Sequence, residues 1–388
     1  MAAMETNGDA KRPPKIEELM TGPEGLRATD YANYFSSYAF IYHQKQMLTD
    51  AKRMEAYRYA ILGNAQCFKD KVVLDVGAGS GILSIWAAKA GAKKVIACEF
   101  TEMASHARNL VKANGLEEIV DVRRSAVEAL ALEKGSVDII ISEWMGYFLL
   151  RESMLDSVIY ARDHYLKKGG ALYPSHAKMY WCPVALQDDR DQKLAETADT
   201  LAEWDAFEDE MMREHDVDVR VLRTPYEKET RDYCLRQAQW HELSEDALCG
   251  EPVCVASLDL NTITLEEAAG VQDAPFSFDL PLERCPAFAG WFDNDFRGSP
   301  QNPASKIVKL DTSPSGGYTH WGQQVFFVDP TLVRDAVRLN GGRAPLKTSG
   351  KLGLTRQAGA ARLYDVHAKL DVADGGKGEA LALTWELS

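Results

Sequence analysis

The sequence predicts a two-part chain: an α/β half built on a parallel sheet, then an all-β half, an antiparallel barrel or sandwich, interrupted by a helical insertion. Between residues 71 and 142 short apolar runs alternate with amphipathic stretches, as strand-helix-strand units do. After Tyr173 this rhythm gives way to period-two alternation with turn signals between the runs. Over about 186–233 the chain is highly charged and carries Leu194, Leu201, Trp204, Phe207, Met211 and Met212 on a helical period. A length of 388 residues is long for one domain, and a hydrophobic fraction of 46% supplies cores for two. The predicted parts are a polar, disordered tail over 1–28, N-terminal helices and the parallel sheet over 29–172, and the β half over 173–388, with the helical arm inserted at 186–234.

Composition narrows the chemistry. Lys and Arg number 44 against 58 Asp and Glu, and the formal charge of −14 disfavours binding to a nucleic-acid backbone and favours cationic partners. Seven scattered cysteines without CxxC spacing imply neither a disulfide framework nor a metal site, and reduced thiols fit the cytoplasm or nucleus. The N-terminus is polar and contains Pro13-Pro14, so it reads as neither signal peptide nor anchor, and no run approaches a membrane span. A soluble protein with no metal and no membrane partner is expected.

From Asp30 the chain is aromatic: Tyr31, Tyr34, Phe35, Tyr38, Phe40, Ile41 and Tyr42 are too many for one core stripe, so some cover a ligand or pack on the next domain. Asp50 and Arg53 read as an exposed helix pair. Val72-Val73-Leu74 is a buried parallel strand by type, closed by Asp75 and followed by the turn Gly77-Ala78-Gly79-Ser80-Gly81 and a helix over 82–90. A second strand, 95–98, stops at Glu99, where an acid would take a ribose diol. The turn is GxGxG and not GxGxxG, and a carboxylate at Asp75 would repel a pyrophosphate but suit a cation. S-adenosylmethionine, which has a sulfonium, an α-amino group and no phosphate, fits that site. A helix over 103–114 and a strand over 120–122 lead to Ser125-Ala126-Val127-Glu128, where an adenine would lie; Glu128 either accepts from its exocyclic amine or faces solvent.

A fourth strand, 137–141, delivers the loop SEWMGYFLLRE to the same sheet edge. Its carboxylates, Glu143 and Glu152, flank Trp144, Met145, Tyr147 and Phe148, a setting suited to the planar, permanently charged fork of a guanidinium. The alternative is a solvated surface loop, which the shared edge argues against. A helix over 155–166 and a turn at Lys168-Gly169-Gly170 follow, then strands near 177–184, 253–258, 274–280, 306–310, 324–328, 351–354 and 381–387. The apolar face of the inserted arm meets either another molecule or the far side of its own domain, and self-association is the sharper expectation.

Together with YFSSY, VLDVGAGSGILS, the SEWMGYFLLRESM loop, YPSHA, WFDNDF and LDTSPSGGYTHWGQ, the chain resembles the protein arginine N-methyltransferases over roughly residues 30 to 330. The resemblance implies a Rossmann-like class I methyltransferase domain followed by an antiparallel β-barrel domain with an inserted dimerisation arm. By resemblance, Arg53 holds the cofactor carboxylate, Asp75 and the turn Gly77, Gly79 and Gly81 its amino-acid end, Glu99 the ribose, and Val127 with Glu128 the adenine. Met145 and the helices around Tyr34 and Tyr38 close over it. Glu143 and Glu152 grip the substrate guanidinium, Met47, Trp144 and Tyr147 wall the substrate pocket, and His320 pairs with Asp50. Taken alone, a histidine between Thr319 and Trp321 in a β-rich half reads as a structural residue, and only the resemblance sets a functional reading level with that one. Many members carry a histidine where this chain has Gln44, with His43 one place earlier. Met47 and the THW tripeptide resemble the type I branch, which makes asymmetric dimethylarginine in histones and RGG-type proteins and leaves S-adenosylhomocysteine. A methyltransferase acting on another nucleophile, a symmetric or mono-methylating enzyme, and a non-catalytic scaffold are the competing readings.

Overall fold

The computed structural model describes residues 34–36, 38–343, 345–372 and 380–387. The tail expected over 1–28, with Asp30 and Tyr31, lies outside the described residues. Ile41–Thr49 (α1), Ala51–Leu62 (α2) and Ala65–Phe68 (α3) precede the sheet. Strands Val72–Val76 (β1), Lys94–Glu99 (β2), Val120–Arg124 (β3), Val137–Ser142 (β4) and Leu166–Tyr173 (β5) are parallel and ordered β3-β2-β1-β4-β5. Helices Ile82–Lys89 (α4), Met103–Ala113 (α5) and Leu155–Tyr165 (α6) connect them. Strand order reverses between β1 and β4, the crevice where open α/β sheets hold ligands. Both the glycine turn and the two-glutamate loop leave the sheet there.

Three expectations need correction. Lys168-Gly169-Gly170, read as a turn, lies inside β5: pairing with β4 jumps from Val137↔Leu166 to Ile139↔Ala171, so the glycines form a bulge, with Gly169 at φ 78°. Strand β1 runs past Asp75 to Val76, which buries Asp75 instead of presenting it. Asp50 and Arg53 are both buried, so they are not an exposed helix pair.

The second half begins with His176–Val184 (β6). Gln187–His215 (α7) and Arg223–Arg236 (α8) form the arm, with Trp204 stacked on Tyr226 at 4.2 Å. Gln239–His241 (β7), Val253–Asp259 (β8), Leu265–Ala268 (α9), Val271–Phe278 (β9), Ala287–Gly298 (β10), Pro303–Asp311 (β11), Gln323–Phe327 (β12), Pro330–Leu339 (α10), Thr348–Gln357 (β13), Ala360–Asp371 (β14) and Ala380–Leu387 (β15) follow. Two antiparallel sheets result, β7-β12-β10-β6-β8 with β11 on β10, and β15-β14-β13-β9, in a barrel-like half. In the aromatic core between them Trp181 stacks on Phe288 at 5.0 Å and packs at a tilt against Phe326 at 5.1 Å, and one continuous apolar cluster runs from here into the parallel sheet. Asn64 pins the halves together, donating to Lys306 O and accepting from Lys306 N, each at 3.0 Å. Arg231 ties the arm to Asp329 at the head of α10. Among the described residues, no helix is long and apolar enough to cross a membrane, and no group of three or more His, Cys, Asp or Glu side chains could hold a metal ion.

Candidate active site

The carboxyl ends of β1, β2 and β4 open into a cavity of about 320 Å³, a size ordinary for a small-molecule site. Gly77 and Gly79 line it with φ of 71° and 52°, values that suit glycine, while Gly81 at φ 84° starts α4 behind them and is not among the lining residues. Glu99 presents its carboxylate in a fixed pose: Oε2 accepts from Gly79 N at 2.9 Å, and Oε1 accepts from Thr101 N and Thr101 Oγ1 at 2.8 and 2.7 Å. Val127 and Glu128 complete the far wall, where Glu128 accepts from Ser157 Oγ at 2.6 Å.

Asp75 lies beneath this floor and lines neither cavity described here. It accepts from Ser84 Oγ at 2.6 Å, while its Oδ1 has no partner among the described residues. Burial above all pushes its carboxyl up to about 7, with the Ser84 hydrogen bond opposing and Glu99 adding to the rise. A cationic ligand group above the turn would act on it through the glycine backbone and not by direct contact.

The loop after β4 holds the two carboxylates, 11% and 14% exposed at the side chain. Glu143 Oε2 accepts from Arg53 Nε at 3.1 Å and Nη2 at 3.0 Å, so the chain's own guanidinium sits on it. Glu152 accepts from Tyr38 OH at 2.9 Å and pairs with Arg151 at 3.3 Å. Burial is the main reason its carboxyl rises to about 7; Arg151 and the Tyr38 hydrogen bond pull it down, and Glu143 pushes it up. The loop is fastened from several sides. Tyr57 OH donates to Ser142 O at 2.9 Å, and Trp321 Nε1 donates to Met145 O at 2.9 Å. Phe148 plugs into the barrel core beside Trp181 and Phe326.

A second cavity, about 790 Å³ and open to solvent, adjoins the first. Tyr34, Tyr38, Met47, Glu143, Met145 and Glu152 line both, whereas Trp144 lines only the first and Tyr147 and His320 only the second. His320 bonds Asp50 twice, through its backbone N–H at 2.8 Å and its Nδ1 at 2.7 Å. Asp50 also caps α2 by accepting from Arg53 N at 3.0 Å. Burial raises the Asp50 carboxyl, but the His320 ring and the two backbone N–H groups outweigh it and hold the group below its usual range.

Sequence reasoning missed Gln44, which is buried against Gly79, and Met154, which accepts from Tyr34 OH at 3.6 Å. Met154 sat inside the motif that carried the resemblance, so the signal was present. It also missed Arg362, which lines both cavities from a stretch that carries no motif.

The cavity suits S-adenosylmethionine: glycine backbone for an amino-acid end, a held carboxylate for a ribose diol, and Glu143 and Glu152 on the wall for a cationic group. A family model described as ribosomal protein L11 methyltransferase matches residues 61–170, and one described as arginine methyltransferase oligomerization subdomain matches residues 176–374. Protein arginine N-methyltransferase PRMT10 of Oryza sativa subsp. indica is 46% identical over 84% of this chain and 86% of its own length. Its Arabidopsis thaliana namesake is 46% identical over 81% and 82%. The solved structure of Arabidopsis protein arginine methyltransferase 10, described as a uniquely open conformation, is 39% identical with a TM-score of 0.81, covering 92% of this chain and all of that one. The Trypanosoma brucei PRMT1 enzyme-prozyme complex with AdoHcy aligns over 91% of this chain and all of that one at 27% identity and a TM-score of 0.68. Similarity of this extent along both halves shows that the chain belongs to the protein arginine N-methyltransferase family, whose reaction uses S-adenosylmethionine to methylate arginine in proteins.

Proposed function

We propose that Glu143 and Glu152 hold the substrate guanidinium between the two cavities, and that the enzyme is of type I, forming monomethyl and then asymmetric dimethyl arginine. The observation that carries this reading is that both carboxylates line both cavities. When bound in the first cavity, S-adenosylmethionine supplies the electrophilic sulfonium methyl, its sulfur leaving with the bonding pair. A guanidinium spreads its charge over three nitrogens, and two carboxylates draw that charge toward the nitrogens they contact, leaving the third more nucleophilic. Arg53 already neutralises one oxygen of Glu143, whereas Glu152 rests near its titration point, so Glu152 takes the proton that the methylated nitrogen releases. The bound cation favours the ionised form of Glu152 before that step. Tyr34 and Tyr38 exclude water above, and Met47 limits the room beside the attacked nitrogen. Asp50 and His320 hold α2 to the barrel across the cleft.

We assign the arm over 186–234 to homodimer formation, on the strength of exposed Met212, Val221, Leu222 and Tyr233 on a segment with little core of its own. Arginine- and glycine-rich proteins and histones, in cytoplasm or nucleus, are the proposed substrates. The decisive assay incubates the purified protein with labelled S-adenosylmethionine and an arginine- and glycine-rich peptide, then identifies the product by mass spectrometry. Asymmetric dimethylarginine is expected; a symmetric product, or monomethylarginine alone, overturns the type I assignment. Glu143→Gln and Glu152→Gln are each expected to lower kcat by about a hundredfold or more while cofactor affinity stays within a few-fold.

A further inference from the structure

We propose that Arg362, at the start of β14, is a positioning residue that joins Glu152 and the aromatic cap of the cofactor cavity into one unit. The proposal rests on the assignment of Glu152 to the substrate guanidinium.

The loop around Glu152 adopts a backbone that L residues resist. Phe148, Leu149, Glu152 and Ser153 have φ of 46°, 68°, 82° and 53°. Such a conformation persists only when neighbouring structure imposes it. For Glu152 and Ser153 the imposing structure is the β13–β14 hairpin. Glu152 N donates to Arg362 O at 2.8 Å, and Arg362 Nη1 donates back to Glu152 O. Ser153 Oγ donates to Ala361 O, and Arg356 anchors the same hairpin by a two-pronged pair with Asp156 at 2.7 and 2.8 Å.

The other face of Arg362 meets the cap. Its guanidinium carbon lies 3.9 Å from the centre of the Tyr34 ring and 5.1 Å from that of Phe35, close enough for a cation–π contact. Tyr34 and Tyr38 pack at 4.9 Å, and Tyr38 OH donates to Glu152. A closed circuit results: Glu152 to Arg362, Arg362 to Tyr34, Tyr34 to Tyr38, and Tyr38 to Glu152. Ordering the cap over the cofactor therefore orders the carboxylate that receives arginine, and a planar fork is needed because Arg362 must stack and donate at once. Besides Arg362, the groups facing Glu152 are Tyr38, Arg151, Tyr34, Tyr147 and Glu143 with its partner Arg53.

The test compares Arg362→Ala, Arg362→Lys and Glu152→Gln in the full chain, reading cofactor affinity by calorimetry with S-adenosylhomocysteine, peptide kcat and KM, the pH profile of kcat/KM, and Tm. Arg362→Ala is expected to weaken cofactor binding several-fold, lower kcat by about ten- to a hundredfold and move the acid limb of the pH profile upward, because a cation facing Glu152 is gone. Arg362→Lys keeps the charge and restores the pH limb, but not the cofactor affinity. Unchanged kinetics in Arg362→Ala, or a loss accompanied by a large fall in Tm with the acid limb unmoved, overturns the proposal. Near-normal turnover of Glu152→Gln would instead remove the assignment of Glu152 itself. An inactive Glu152→Gln beside a normal Arg362→Ala defeats the role of Arg362 alone.

Discussion

Asp75 has no solvent exposure, a single side-chain partner and a carboxyl raised to about 7, so in the ligand-free protein it holds its proton far more tightly than in the unfolded chain. Its contribution to stability is therefore complete below the ordinary carboxylate range and fades as pH rises through about 7. Glu152 behaves the same way. The Tm of the ligand-free protein is expected to fall between about pH 4 and pH 7 and to level off above that range. Asp75→Asn should flatten part of that fall, and a profile of unchanged slope in the variant would refute the account. The type of Asp75 and its place before the glycine turn were readable, but its direction was not, because β1 is covered on both faces and no alternation of apolar and polar residues marks which way a side chain points. Glu99 is the contrasting case: it ends its strand, so its position on the cavity followed directly from the pattern. Arg53 sits on Glu143 through a contact spanning the cleft, and no local spacing announces such a pair.

At the scale of elements, the two-glutamate loop depends on a glycine in another strand. A Cβ added at Gly290 in β10 would lie 2.5 Å from the Phe148 ring, which is fully buried against Trp181. Gly290→Ala is expected to destabilise the protein by about 1–3 kcal/mol in denaturant titration and to reduce turnover by displacing the loop. Full stability together with full activity would show that the ring yields freely. Strands β1, β2 and β4 were legible because each carries a short apolar run that stops at glycine or acid, whereas β3, with only Val120 and Val122 apolar, was placed by the βα rhythm around it. Strand β10 escaped because it is covered on both faces almost end to end, which removes the alternation that marks a strand. By contrast, β14 alternates, with Tyr364, Val366, Ala368 and Leu370 inward, and was discernible in principle. What it does at the site was not, since its grip on Glu152 runs largely through backbone atoms that carry no sequence signature.

Across the whole molecule, the two halves meet through Asp50–His320 and Asn64–Lys306 as well as through the shared apolar cluster. Asp50→Ala removes a helix cap and leaves the His320 N–H groups without their acceptor, so a loss of about 2–4 kcal/mol is expected by denaturant unfolding. A change within measurement error would show that the remaining ties hold the halves without Asp50. The arm is tested separately. Val221→Asp combined with Leu222→Asp places charge on its exposed apolar tip, and light scattering is expected to report a monomer with a near-native Tm; an unaltered dimer would place the interface elsewhere.

The bond from Trp321 to Met145 and the seating of Phe148 in the barrel make the first half depend on the second. The first half carries features shared with methyltransferases of other targets, as its match to a ribosomal protein L11 methyltransferase model shows. Its glutamate loop, however, takes its shape from side chains of the second half. The cofactor sheet on its own would lack those contacts, so under the assignment proposed above the glutamate loop and the barrel work only as a pair.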